Sequence, residues 1–233
     1  MYFFVGQILP FITLFVFLTG AVYKIIHWAK SPSIKMTLTP TPPTNTRRRL
    51  RLLGDYFLFR REFAANRSIW VLGWAFHLVL FFILIGHLRA FFGFFDHWAM
   101  GFGFSEEQIE SVTHLGGTIA GIILFAIVIS FLIRRFWIKR IREISTASDF
   151  LILLLLLVVI ISGNGMRLFT ALDPVDIRFY FKDLFAFIQA TIPQNPWFLC
   201  HYFSVQILLM TIPFSKLFHF GGLYFSSELL YRE

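Results

Sequence analysis

The seven histidines are the residues of this sequence best suited to chemistry, and four of them lie in or beside long apolar runs. His77 and His87 lie ten positions apart in one long apolar run, and His201 and His219 lie eighteen apart in another. Ionisable side chains are costly in such segments and mark function there. A neutral imidazole is a good ligand for haem iron, and two imidazoles on one iron suit electron transfer rather than oxygen binding. The four histidines therefore predict two haem b sites.

A single histidine in a membrane helix is often no more than a hydrogen bond between helices. Four on two spans, with almost no carboxylate at the same depth to pair with them, are poorly explained in that way. The other three histidines lie nearer the ends of apolar runs. His27 and His97 are expected to be interfacial polar residues, whereas His114 could face water, a partner protein or a quinone.

The composition places these histidines in a membrane protein. Of the 233 residues, 57% are hydrophobic and 15% are charged, and the mean hydropathy is +0.71. A soluble domain of this size cannot bury so much apolar surface, and disordered chains are poor in it. The single cysteine, Cys200, excludes a disulfide framework and a cysteine-ligated zinc or iron–sulfur site within the chain. The net charge of +8 indicates basic membrane-flanking loops, and no nucleic-acid partner is expected.

Apolar runs that can cross about 30 Å of hydrocarbon predict an all-α integral membrane protein with five transmembrane helices in one membrane domain. The predicted spans cover residues 3–26, 69–95, 112–133, 150–168 and 197–218. Lys and Arg are concentrated in two links, with ten between residues 24 and 67 and five between 134 and 142. Because basic links stay in the cytoplasm, the N-terminus is predicted outside and the C-terminus in the cytoplasm.

This topology fixes which histidines can share a haem. The predicted pairs are His87–His201 for an outer haem and His77–His219 for an inner haem. Continuous helices would separate the span-two ligands by about 15 Å and the span-five ligands by about 27 Å, and a kink at Pro213 is expected to absorb the difference. The eighteen residues between His201 and His219 make five full turns, which predicts that both lie on one helix face.

Three links carry further signals. The Pro- and Thr-rich stretch Thr37–Thr46 predicts an extended segment. The basic and apolar stretch Arg47–Phe63 predicts either a helix on anionic lipid or a dock for a cytoplasmic subunit. On the outer side, Asp173 followed by Pro174 predicts a helix start with Asp173 as N-cap, leading into an amphipathic helix over 177–188.

The histidine spacing resembles that of a known family, the membrane cytochrome b (gamma) subunit of respiratory nitrate reductase and its relatives. The resemblance covers nearly all of the chain and is most specific in the four histidines. Neighbouring strings agree as well: FHLVLFFILIGHLRAFF, RRFWIKRIR, STASDFLILLLLL and PFSKLFH. The strings GHLR at 86–89 and SGNGMR at 162–167 look more like the cytochrome b subunit of the Dsr transmembrane complex of sulfate reducers and sulfur oxidisers.

The resemblance implies that the four histidines bind two b haems in the pairing given above. It also implies electron exchange between menaquinone or menaquinol and a cytoplasmic iron–sulfur partner, in the cytoplasmic (inner) membrane of a prokaryote. The Dsr-like strings imply a heterodisulfide-reductase-like partner in a respiratory complex linked to sulfite or sulfate reduction, with further membrane or periplasmic subunits.

A quinol site beside the outer haem needs polar groups near an apolar slot. The candidates are Arg89, His114, Glu107 and Arg167. The two arginines are better suited to binding haem propionates or lipid headgroups.

Two alternatives remain open at this stage. One is the gamma subunit of a respiratory nitrate reductase, but the outer loop here reads Glu106-Glu107-Gln108 where that type has a basic residue serving its quinol site. The other is a haem-free membrane scaffold, or a transporter using histidines as a proton relay. A transporter should line several spans with polar groups and often contains an inverted repeat. Span four is almost purely apolar and the sequence has no visible repeat, and both features disfavour the transporter hypothesis.

Overall fold

A computed structural model of the chain describes residues 2–31, 50, 53–170, 172–219 and 221–222. Within these ranges every regular element is a helix, which confirms the all-α prediction. Five helices are long and apolar enough to cross a membrane, as the sequence predicted. They cover Phe4–Ala29, Arg67–Phe91, Glu106–Trp137, Ala147–Phe169 and Pro196–Phe214.

The helices are numbered in chain order, and the odd numbers are the spanning ones. These are α1 (Leu9–Ala29, preceded by a π-helical turn at Phe4–Ile8), α3 (Arg67–Phe91), α5 (Glu106–Trp137), α7 (Ala147–Phe169) and α9 (Pro196–Thr211). The shorter helices are α2 (Arg60–Ala65), α4 (Phe94–Gly101), α6 (Lys139–Ile144) and α8 (Pro174–Phe185). Two 3-10 turns, Ile212–Phe214 and Lys216–Phe218, follow α9.

Polar caps set the starts of two spans. α5 begins at Glu106, ahead of the predicted residue 112, because Ser105 and Gln108 form a capping box that satisfies two backbone N–H groups. α7 begins ahead of the predicted residue 150 because the Asp149 carboxylate accepts from the backbone N–H and the hydroxyl of Thr146, at 3.0 and 3.1 Å.

The second span is shorter than predicted. α3 ends at Phe91 rather than at residue 95, and a turn at Gly93 separates it from the short helix α4. The Arg89 guanidinium, in the last turn of α3, binds the Asp96 carboxylate in the first turn of α4 at 2.6 Å. This ion pair fits a chain that turns after Phe91 and does not continue straight through the predicted end.

The fifth span breaks where proline requires it. α9 ends at Thr211, and the chain continues through 3-10 turns because Pro213 has no N–H to donate and its ring disfavours the preceding helical turn. The expectation that His201 and His219 share one helix face depended on five full α-helical turns between them, and α9 does not extend to His219. The expected break at Pro213 is confirmed.

The amphipathic helix on the predicted outer side is confirmed with shifted bounds. α8 runs over Pro174–Phe185 instead of 177–188. Its start follows the predicted chemistry, since the Asp173 side chain accepts from the Val175 N–H at 2.8 Å and Pro174 occupies the first helical position.

Contacts divide the chain into two compact units. The first comprises Met1–Thr13 and Ala75–Leu208, and the second comprises Leu14–Trp74 and Leu209–Glu233. In the first unit α5 packs against α7 through one buried cluster, and α8 packs against α9 and the link between them through another. The clusters are Leu124, Val128, Leu153, Leu157 and Ile160, and Tyr180, Leu184, Ala190, Ile192 and Phe198.

The second unit is held by aromatic contacts. The Trp28 and Phe218 rings stack with centroids 5.6 Å apart. The Trp70 indole N–H donates to the Leu58 carbonyl at 2.7 Å, which ties the start of α3 to the chain before it. The predicted extended segment Thr37–Thr46 lies outside the described residues, and the basic segment Arg47–Phe63 lies partly outside them.

The cap of α7 gives a test of this architecture. Asp149 is 5% exposed and also lies 3.7 Å from the Arg135 guanidinium. Replacing it (Asp149→Ala) should lower the free energy of unfolding by about 1–3 kcal/mol, because a buried cap and two hydrogen bonds to a charged group are lost. The measurement is the thermal midpoint in detergent. Glu143→Ala, which removes a carboxylate that is 62% exposed, is the control, and an equal shift in both variants would contradict the role of the cap.

Candidate functional site

His87 and His201 are delivered to the site by the ends of two spanning helices. His87 lies in the last part of α3, and His201 lies in the second turn of α9. The start of α9 is fixed by Asn195, whose side-chain oxygen accepts from the backbone N–H groups of Trp197 and Phe198 at 2.9 and 3.2 Å. A capped start holds the first turns of a helix in place. Here the cap fixes the position of His201 along the chain direction of α9.

The imidazole rings of His87 and His201 lie close together and nearly parallel. Their centroids are 6.1 Å apart and their planes are inclined by 22°. Two imidazoles that bind one metal atom from opposite sides, with bonds of about 2 Å, hold their ring centres roughly 6 Å apart. The observed separation of the ring centroids therefore matches the separation that two histidine ligands of one haem iron would need.

Hydrogen bonds set the tautomer of both rings. His87 Nδ1 lies 2.7 Å from the Ile83 carbonyl oxygen, and His201 Nδ1 lies 2.9 Å from the Val159 carbonyl oxygen. A carbonyl oxygen only accepts, so each Nδ1 donates its proton. In the neutral ring the lone pair is then on Nε2, the nitrogen that a haem iron requires.

The hydrogen bond of His201 is a stronger indication of a functional role than the hydrogen bond of His87. His97 makes the same local bond to the carbonyl four residues before it, at 3.0 Å, so that contact by itself does not identify a ligand. The bond to Val159 instead joins α9 to α7. A Cβ atom at Gly163 would lie 3.1 Å from His201 Cε1, so the glycine leaves the ring its space.

Gly86, next to His87, meets open space. A Cβ atom there would have no neighbour within 4 Å among the described residues. Gly86 is therefore not explained by close helix packing.

The second predicted pair is divided between the two units. His77 belongs to the first unit, where its ring meets the edge of Phe76 with centroids 5.2 Å apart. His219 belongs to the second unit and follows the last 3-10 turn, with Nδ1 3.1 Å from the Lys216 carbonyl oxygen. That bond again leaves Nε2 of His219 as the lone-pair nitrogen.

A charged cluster lies at the same end of α3 as His87. The Asp96 carboxylate accepts from Arg89 Nε at 2.6 Å and from an Arg178 guanidinium nitrogen at 2.9 Å. The same guanidinium also donates to the Arg89 carbonyl at 3.2 Å. α3, α4 and α8 are therefore joined through one carboxylate.

The two guanidinium groups decide the charge of Asp96. Burial by itself would raise the pKa of the Asp96 carboxyl, but the hydrogen bonds and positive charges of Arg89 and Arg178 outweigh it and hold the pKa below 3.8, its ordinary value. Arg178 Nε is buried without a hydrogen-bond partner among the described residues, so the cluster keeps unused donor capacity.

Three of the four predicted quinol-site candidates come together around Thr113. The Thr113 hydroxyl accepts from Arg89 at 2.8 Å, and its carbonyl accepts from Arg167 at 3.3 Å. His114 Nε2 lies 3.0 Å from the Arg167 carbonyl oxygen. A Cβ atom at Gly117 would collide with the Arg167 guanidinium, so this glycine leaves room for the guanidinium in its present position.

Glu107, the fourth candidate, does not join them. It is exposed in the first turn of α5, and within the described ranges it makes no hydrogen bond or ion pair. Sequence reasoning missed Asp96, Thr113 and Arg178 as members of the cluster. A local signal existed only for Asp96, an acid seven positions after Arg89.

The fold and the site define a class: a multi-pass helical membrane protein with closely spaced histidines between two of its spans. In the described part of the chain no group of three or more His, Cys, Asp or Glu residues is arranged to hold a metal ion. A haem with two axial histidines does not need such a group.

The chain belongs to the nitrate reductase gamma subunit family, whose family model matches residues 61–232. It is also similar to two curated proteins, each named "Hdr-like menaquinol oxidoreductase cytochrome b-like subunit". The one from Archaeoglobus fulgidus is 29% identical over 95% of this chain and 77% of its own length. The one from Archaeoglobus profundus is 30% identical over 94% of this chain and 76% of its own length.

The Asp96 cluster predicts a pH-dependent stability. Asp96→Asn should destabilise the protein at neutral pH by about 1–3 kcal/mol, because two guanidinium groups lose their carboxylate. The native pKa lies below the unfolded one, so the stability contributed by ionised Asp96 is complete at neutral pH and is lost as the pH falls below 3.8. The check is the thermal midpoint of both proteins as a function of pH, and curves that stay parallel down to the lowest pH would sink the prediction.

Proposed function

We propose that this protein is the quinone-reactive dihaem cytochrome b subunit of a respiratory complex. It exchanges electrons between menaquinol in the membrane and a cytoplasmic iron–sulfur subunit of heterodisulfide-reductase-like type. The single observation that carries the proposal is the close pair His87 and His201, with ring centres 6.1 Å apart and both Nδ1 atoms bonded to carbonyls.

In this proposal His87 and His201 hold the outer haem, and His77 and His219 hold the inner one. A haem b with two histidine ligands supplies one-electron transfer between a quinol and an iron–sulfur cluster. The chain's own part is to keep the imidazoles neutral and correctly turned, and to keep water away from the apolar interior. The support for the inner pair is the position of His77 within α3 and the spacing of the four histidines in the sequence.

The charged cluster supports an outer haem at the end of α3. Arg89 and Arg178 bind the Asp96 carboxylate, and Arg167 binds the carbonyl of Thr113, whose hydroxyl binds Arg89. The cluster therefore contains three positive charges and one negative charge. The excess suits the two propionates of a haem b, for which arginine is the usual partner. Arg167 lies one helical turn after Gly163, the residue that borders His201. Arg89 and Arg167 are therefore assigned to propionate binding rather than to quinol.

The relatives support the choice of electron donor and partner. Their names describe an Hdr-like menaquinol oxidoreductase, and the similarity extends over at least 94% of this chain. The link to sulfite or sulfate reduction is the finer part of the proposal and rests on the GHLR and SGNGMR strings. The match to the nitrate reductase gamma model keeps a nitrate reductase subunit as the second candidate.

A haem-to-protein ratio tests the cytochrome assignment. The full chain, purified from haem-replete cells and assayed as the pyridine haemochrome, should contain about two haems b per chain, both low-spin. A folded protein with no haem would overturn the cytochrome assignment and favour the haem-free scaffold or relay.

The pairing of ligands is tested by substitution. His87→Ala and His201→Ala should each lower the ratio from about two haems to about one, since a haem that loses one axial ligand is held weakly. The matched control is His97→Ala, which removes a histidine with the same local bond to a carbonyl and should leave both haems in place. Unchanged haem content in His87→Ala or His201→Ala would contradict the pairing.

A further inference from the structure

A cavity of about 380 Å³ lies in the first unit, away from the charged cluster. It is bounded by the π-helical turn before α1 and by the chain that leaves α8. Its lining is aromatic and aliphatic, with two amide side chains. The lining residues are Phe3, Gln7, Phe11, Leu184, Phe187, Ile188 and Gln189.

Two departures from regular backbone shape this cavity. The first is the π-helical turn Phe4–Ile8, a type of distortion that often accompanies functional sites. Side chains from α8 and α9 hold it in place: the Tyr180 hydroxyl donates to the Gly6 carbonyl at 2.5 Å, and Gln206 Nε2 donates to the Val5 carbonyl at 3.2 Å.

The second departure is the left-handed conformation of Phe187, with φ of 58°. The backbone N–H groups of Phe187 and Ile188 return to the Leu184 and Asp183 carbonyls, as in the helix ending that normally places glycine at this position. A phenylalanine here is strained. In this conformation the Phe187 ring stacks on the Phe11 ring, with centroids 5.2 Å apart and planes inclined by 11°. The stacked rings form one wall of the cavity.

Two walls of the cavity are large apolar residues that remain exposed. Phe187 is 82% exposed and Phe3 is 61% exposed. In the predicted topology these residues lie at the outer side of the bilayer, where aromatic side chains meet lipid. An apolar ligand dissolved in the membrane can therefore reach the cavity.

The two amides suit a ligand that changes between hydroxyl and carbonyl. Gln7 Nε2 donates to the Ala190 carbonyl at 2.5 Å, which leaves its Oε1 as an acceptor. The Gln189 amide makes no hydrogen bond within the described ranges and offers both a donor and an acceptor. A quinol hydroxyl needs an acceptor and a quinone carbonyl needs a donor.

The cavity shares one packed cluster with the helix of His201. Leu184 and Phe11 border the cavity and pack in the cluster that contains Phe198 and Tyr202. These two residues flank His201 on α9, three positions before it and one after it. One packed cluster of largely aromatic residues therefore connects the lining of the cavity with the helix that carries His201.

We infer that this cavity binds the ring of a quinol or quinone, with Phe11 and Phe187 as its wall and Gln7 and Gln189 as its polar contacts. The inference rests on the proposed function and names a site for its membrane substrate. The site differs from the cluster around Arg89 and Arg167, which the proposed function assigns to the haem propionates.

Photolabelling locates the site directly. The full chain in nanodiscs is irradiated with an azido-naphthoquinone, and the labelled peptides are sequenced. Label within residues 3–11 and 184–189, displaced by unlabelled naphthoquinone and not by added phospholipid, is expected. Label confined to residues 106–114 or to Arg167, label displaced equally by phospholipid, or no label at a saturating probe concentration would each overturn the inference.

Two variants separate binding from folding. Phe187→Gly removes the wall and relieves the strained backbone, and Gln189→Leu removes an amide with no other hydrogen bond. Each should weaken naphthoquinone binding about ten-fold without lowering the thermal midpoint or the haem content. Phe179→Ala, an exposed residue of α8 outside the cavity, is the matched control and should bind as the parent does. Parental affinity in both variants would disprove the site.

Haem content is measured on the same samples. If both variants contain two haems and bind naphthoquinone as the parent does, the inference about the cavity is wrong and the cytochrome assignment is retained. Absence of haem in folded protein would remove the cytochrome assignment whichever peptides are labelled.

Discussion

The hydrogen bond between His201 Nδ1 and the Val159 carbonyl is the interaction on which the rest of the site depends. It joins two spanning helices, α9 and α7, and directs the lone pair of the imidazole away from the contact. A helical carbonyl has a second lone pair to offer, but a side chain on the next turn would normally block access to it. Gly163 removes that obstruction, so the ring can approach Val159 closely enough to bond.

In the hydrocarbon interior of a membrane, a few polar groups fix the positions of the helices. Each polar atom there must find a partner within the protein, because water is absent. The Ser162 hydroxyl returns to the Val158 carbonyl, and Gln206 binds the carbonyl of Val5. The His87 and His201 imidazoles follow the same rule at Nδ1, which bonds to the Ile83 and Val159 carbonyls.

At the end of α3 the same rule takes a charged form. One carboxylate, Asp96, binds two guanidinium groups, and a third guanidinium binds the backbone of Thr113. The cluster fixes the ends of α3, α5, α7 and α8 around the place where His87 meets His201. Its excess positive charge is a cost in the isolated chain and becomes an attraction once an anionic group is bound.

Much of the fold was accessible from local sequence. The five apolar lengths, the N-cap at Asp173 and the break at Pro213 all follow from residues close together in the chain. The errors were also local in origin. The predicted span limits took apolar residues as helix, whereas a turn at Gly93 ends α3 early and the Ser105 capping box starts α5 early.

The sequence by itself determined the class of protein, the number of spans and the four candidate haem-binding histidines. The length of an apolar run and the type of a residue are properties of a single segment, so they can be read without the tertiary structure. The tertiary structure decided that His87 lies beside His201, that Asp96 binds Arg178, and that Phe187 closes a cavity with Phe11. These pairs are separated by many residues, so their distances depend on how helices pack and on where carbonyl groups accept hydrogen bonds. No local pattern contains that information.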